Sequence, residues 1–156
     1  MFDESAILKD TGAVTSSGYG TVDEEAKILN VGTGLVEGNL VIDIAAVKVG
    51  ASKDQVYDLL LMGGNDESFT VEVPLAGKTI GHNQAAAIEG NVDAREGRLI
   101  IPFSNEYQGT IYPYLRTRHV IAGTGSSINY QARLEQRGPV TGISSNPQTA
   151  VTTTTA

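Results

Sequence analysis

IYPYLRTRHVIAGTGSSINYQARLEQRG, residues 111–138, contains the two clearest strand patterns of the chain. In its second half Ile128, Tyr130, Ala132 and Leu134 alternate with Asn129, Gln131, Arg133 and Glu135. Successive side chains on a strand point to opposite faces, so this half reads as a strand with one buried and one wet face. In the first half Ile111, Leu115, Thr117 and Ile121 share one face, and Tyr112, Tyr114, Arg116 and Arg118 share the other. Pro113 carries no amide donor, which puts the start of this strand at an edge or leaves it unpaired. Between the halves lies GTGSS, 123–127, whose glycines suit a tight loop closing a hairpin.

Elsewhere along the chain, short apolar runs alternate with turn residues. Strands are expected at 13–15, 27–31, 39–49, 55–63, 69–73, 78–81 and 98–103, before the two at 111–122 and 127–136. VDEEAKIL, 22–29, reads as a strand entry or a single helical turn, and NQAAAIE, 83–89, as a short helix. The runs at 40–49 and 55–62 are apolar on both faces in places, with Val41 beside Ile42 and Leu59, Leu60 and Leu61 together. Such strands are covered on both sides. Alternation loses phase at Ala45 and Ala46, which predicts a bulge there. These features describe an all-β fold: an antiparallel two-sheet sandwich, a jelly roll of about eight strands. It occupies residues 1–138 as one domain. The remaining 139–156 is uncharged and rich in Thr and Ser. It reads as a flexible tail, or as an arm that lies along a partner's sheet edge.

With 156 residues the chain can bury one sizeable core. Its net charge of −7 argues against a nucleic-acid partner, which needs basic clusters to displace counterions. The absence of cysteine excludes disulfides and thiolate metal sites. The opening MFDESAILKD has no apolar h-region, and no run reaches the roughly 20 apolar residues of a membrane span, so no membrane partner is expected.

Catalysis finds little support. Nucleophilic chemistry needs a nucleophile, a base and an orienting group. The two imidazoles, His82 and His119, lie far apart without metal-ligand spacing. His82 falls in a turn, and His119 on the apolar face of its strand reads as a satisfied, semi-buried histidine. A carboxylate pair of the glycosidase type is open in principle, but the acids fall mostly in predicted loops. MGGNDESF, 62–69, offers Asn65, Asp66, Glu67 and Ser68 without calcium-loop spacing, and a turn is the expectation. GTG at 32–34 and 123–125 leads into no helix that would hold a phosphate. No enzyme, no cofactor and no metal are expected.

A docking surface is the better expectation. Tyr and Arg are enriched at interface hot spots. Tyr112, Tyr114, Arg116, Arg118 and Arg133 are therefore read as one exposed sheet face, with Phe2 and the acidic N-terminal segment as a second contact. The first 25 residues carry six acids against Lys9, while 98–138 carries five arginines, an arrangement suited to complementary patches. The bland alternative for these charges is a solvated surface.

The order of segments resembles a known family. FDESAILKDTGAVTSSGYGTVD leads into ILNVGTG, then a strand pair and LLLMGGNDESF, then GRLIIPF and YLRTRHVIAGTGSSINYQARL. This is similar to the small capsid cement, or decoration, proteins of short-tailed phages, of the kind seen in Bordetella phage. The resemblance covers about residues 2–136 and rests on short strands and turns, with no catalytic motif. It implies a jelly roll on the outer surface of a virion, made in the host cytoplasm. The implied partner is the major capsid protein, bridged across neighbouring capsomers by a homo-oligomer, a dimer before a trimer. The alternative reading is a β-sandwich decoration module that binds a glycan or receptor.

Overall fold

The computed structural model describes residues 6–81, 83, 85 and 97–136. Short strands come first: β1 (Ile7–Lys9), β2 (Ala13–Val14), β3 (Gly18–Tyr19), β4 (Thr21–Val22), β5 (Glu25–Ala26) and β6 (Leu29–Asn30). The long strands β7 (Glu37–Val47), β8 (Val56–Gly64), β9 (Glu72–Ile80) and β10 (Arg98–Ser104) follow. After the small β11 (Glu106–Tyr107) and β12 (Thr110–Ile111) come β13 (Tyr114–Ala122) and β14 (Ile128–Gln136).

Two five-stranded sheets carry the fold. One runs β1-β14-β7-β10 with β2 beside β14, and the other β3-β13-β8-β9 with β6 beside β13. Taking the strands on these two paths in chain order, the first sheet reads first-eighth-third-sixth and the second reads second-seventh-fourth-fifth. This is the double Greek key of a jelly roll, as the strand pattern predicted. Leu40, Ile42 and Ile44 of β7, Ile128, Tyr130, Ala132 and Leu134 of β14, and Tyr57, Leu59 and Leu61 of β8 meet with Leu115 in one buried core. Full burial of each such side chain contributes about 1.5–3 kcal/mol. The alternation of β14 therefore faces as its sequence reads. The bulge also stands where phase is lost: Asn129 pairs with Ala46 and Tyr130 with Ile44, which leaves Ala45 as the extra residue.

Several expectations need correction. The segment 111–136 is not a hairpin: β13 pairs with β3, β6 and β8, and β14 with β1, β2 and β7. GTGSS carries the chain from one sheet to the other. Gly123 has φ of +103°, and a Cβ there would lie 2.5 Å from the carbonyl oxygen of Asp54. The crossover thus needs glycine for both backbone angle and space. Residues 22–29 form no helical turn. They run from β4 through Asp23 and Glu24, both at positive φ, into β5, with Leu29 opening β6. The expected strands 69–73 and 78–81 are one strand, β9, which continues through Pro74 and Gly77. Of the helix expected at 83–89, Asn83 and Ala85 are helical and the rest lies outside the described residues.

Both edge strands place a proline where it breaks no ladder bond. The amide of Ile44 bonds to Gly97 at 2.7 Å. Bonded pairs alternate along an antiparallel ladder. Leu99, Ile101 and Phe103 then bond to β7, and Pro102 turns towards the open edge. The same count from the bond of Asn65 to Val71 turns Pro74 of β9 to its open edge. A missing donor at these positions costs the sheet nothing and blunts pairing with other strands.

Candidate docking surfaces

The outer face of β13 gathers around Arg116. Tyr114, Arg116 and Arg118 point away from the core, because Leu115, Thr117 and His119 point into it. Arg118 is paired in register with Tyr19 of β3, and Arg116 with Met62 of β8. The Arg116 guanidinium lies between two rings, 3.7 Å from the Tyr19 centroid and 4.0 Å from that of Phe69. It also binds Glu72 Oε2, through Nε at 2.8 Å and a terminal nitrogen at 2.7 Å. The Tyr19 hydroxyl donates to the other oxygen of Glu72 at 3.3 Å. Planar guanidinium suits such stacking. Phe69 reaches this position because Gly64 has no side chain: a Cβ there would overlap the ring. Arg116 is therefore a lock within the sheet, where the sequence suggested an open docking cation. Arg118 sits 5.8 Å from the Tyr19 ring and forms no ion pair among the described residues.

Tyr112 and Arg133 do not join this face. Tyr112 is 8% exposed. Strand regularity breaks at Pro113, between β12 and β13, so the phase that puts Tyr114 outside does not carry back to Tyr112. Its side chain packs against Gly63. Arg133 lies on the other sheet. There Asp43 accepts from Arg133 at 2.6 Å on one oxygen and from Arg98 at 2.6 Å on the other. Arg133 also reaches Glu135 at 3.1 Å. Partial burial pushes the Asp43 carboxyl up, but the hydrogen bonds from Arg98 and Arg133 outweigh it and hold it below the usual range. Three arginines of the expected basic patch are thus satisfied within the chain, and each outer face also keeps a buried apolar residue, Val41 or Met62. Phe2 and His82 lie outside the described residues.

His119 is buried, as its strand position predicted. Its Nδ1 is 2.8 Å from the Tyr130 hydroxyl, and its ring is also bonded to the backbone of Ser16. Burial and the nearby Lys9 ammonium push the imidazole down to about 4. The ring is neutral at pH 7, with Nδ1 accepting from Tyr130, whose hydroxyl is pushed up by burial. Lys9, 3% exposed, donates to the carbonyls of Asp10, Gly12 and Tyr130 at 2.9, 2.9 and 2.7 Å. Its ammonium stands 4.4 Å from the Tyr130 ring centroid. Sequence reading assigned no role to this lysine, whose one signal was a cation inside the apolar run AILK. These groups tie β1 to β14, and Lys9 also lines a surface recess with Asp10, Gly12, Thr21 and Asp23.

The acidic loops are also internally satisfied. Asp66 accepts from the amide and hydroxyl of Thr70 and the amide of Ser68, and these bonds lower its pKa. This is the turn expected of MGGNDESF. Asp54 accepts from the Ser52 hydroxyl and from Thr124, pinning the crossover loop, and its pKa is lowered for that reason. Among the described residues no three His, Asp or Glu side chains gather as a metal site, and no helix is long and apolar enough to cross a membrane. No protein-family model matches the chain, and no curated protein matches it.

Proposed function

We propose that this chain is a non-enzymatic virion structural protein, a capsid cement or decoration protein. It binds the outer surface of a phage shell, bridges neighbouring capsomers and stabilises the DNA-filled particle. Its partner is the major capsid protein, and it works as a homo-oligomer, a dimer before a trimer. The observation that carries this reading is how the fold uses its polar groups. Arg98, Arg116 and Arg133 are consumed by cross-strand carboxylates, and His119 is neutral and buried. A sandwich locked in this way suits a rigid binding block. The resemblance in segment order supports the same role.

The mechanism is mass action. A protein that binds two shell subunits in their assembled arrangement, and not when they are apart, stabilises that arrangement. Paired sites in one oligomer, repeated over a closed shell, add avidity. The test is co-sedimentation with expanded shells lacking this protein. Saturable binding at a fixed ratio to the shell protein is expected, with a higher temperature of DNA release from decorated particles. Absence of binding refutes the reading, and a positive glycan array would then favour a glycan-binding decoration module.

A further inference from the structure

One end of the sandwich gathers three of the five exposed large apolar side chains among the described residues, the other two being Ile100 and Tyr19 on the outer faces. The register brings Ser104 of β10 and Gln136 of β14 beside the start of β7, and Gly64 of β8 and Glu72 of β9 beside the start of β13. The connections 31–36, 65–71 and 105–113 therefore emerge together at this end. Each displays one large apolar side chain: Leu35 is 59% exposed, Val71 47% and Tyr107 36%.

All three loops are held in place. Asn105 is fully buried, and its side chain accepts from the Val36 amide at 2.7 Å and donates to the Gly34 and Tyr112 carbonyls at 3.0 and 3.3 Å. Leu35 stands between two residues bonded to Asn105. Val71 is fixed by its amide bond to the Asn65 side chain at 2.9 Å, and Glu106 closes the turn beside Tyr107 by accepting from the Gly109 amide. Apolar groups shown on prebuilt loops lose little freedom on binding.

The charge carried by these three connections has one sign. Residues 30–37, 64–72 and 104–114 contain Glu37, Asp66, Glu67, Glu72 and Glu106, and no Lys, Arg or His. Glu72 is paired with Arg116, and the other four carboxylates form no ion pair among the described residues. This end repels phosphate-rich partners, and it repels a second copy of itself set against it. It complements a basic protein surface with apolar sockets.

We propose that this loop end is the docking surface, with Leu35, Val71 and Tyr107 as anchors and the acids as a steering rim, for a basic protein surface. It gives the contact for the shell docking proposed above and rests on that reading only for the partner's identity. Two measurements test it. In the first, Leu35→Ser/Val71→Ser/Tyr107→Ser is compared with the unaltered chain in shell co-sedimentation. A loss of about tenfold or more in affinity with an unchanged thermal midpoint is expected. Equal binding by both proteins overturns the inference and leaves the cement role standing. In the second, a peptide of alternating Lys and Leu is titrated against the unaltered protein while amide shifts are mapped by NMR. Shifts concentrated at 31–37, 65–71 and 105–110 are expected, weakening with salt. Shifts elsewhere, or none, overturn the inference. If the unaltered protein does not bind shells, the cement reading fails and the peptide map alone decides this one.

Discussion

Acid should destabilise this protein through His119 before it does so through the carboxylates. The imidazole has a folded-state pKa of about 4 against an ordinary 6.5, from burial first and the Lys9 ammonium second. The unfolded chain then binds the proton more tightly than the folded one. The stability tied to a neutral His119 is complete above 6.5 and is lost as pH falls towards 4. Below 6.5 the loss accumulates at about 1.36 kcal/mol for each pH step of one, so it reaches about 2 kcal/mol by pH 5. Asp43, Asp54 and Asp66 have pKa values lowered from 3.8, so their contribution is present above that value and is lost only at lower pH. Urea unfolding at pH 7, 6 and 5 separates the two windows. With a slope of about 2 kcal/mol per molar, the midpoint should drop by about 1 M over this range. His119→Asn keeps an acceptor near Nδ1 for the Tyr130 hydroxyl. It should be less stable at pH 7 yet nearly flat from pH 7 to 5. His82 remains in both proteins and cancels in the comparison. A variant that declines with pH as steeply as the unaltered chain would rule out His119 as the source.

Two further expectations concern the Arg116 lock. Arg116→Ala loses two ring contacts worth about 0.5–1 kcal/mol each and a partly exposed ion pair of similar worth, about 2 kcal/mol in all. The thermal midpoint should fall by about 6 °C. Arg116→Lys should recover less than half of this, since an ammonium cannot lie flat between two rings, while Arg118→Glu should shift the midpoint little. Gly64→Ala puts a Cβ into the space of the Phe69 ring and must expel it, at a cost of about 1–3 kcal/mol. Calorimetry of the Gly64→Ala/Phe69→Ala pair should show a loss well below the sum of the two single changes, because both remove the same ring.

The class of the fold and much of its local detail were legible in the chain alone. Alternation in 128–134 named the inward residues of β14, the lapse at Ala45 and Ala46 placed the bulge, and the apolar position of His119 foretold its burial. These are properties of a strand's period of 2, and they are written in neighbouring residues. Which strands pair is another kind of fact. GTGSS can close a hairpin or cross between sheets, and the choice was made by β8 and β7, which claim β13 and β14 as separate partners. That choice put Arg133 on the sheet opposite Arg116. Likewise Pro74 falls between two expected strands until β9 is seen to be one continuous edge strand. Arg116 reads as a free cation until Gly64, Phe69, Tyr19 and Glu72 converge on it from three other segments. Leu35, Val71 and Tyr107 look unrelated in the chain until the register of the sheets brings their connections to one end. Each of these points depends on contacts between residues distant in the chain, and local pattern carries no information about them.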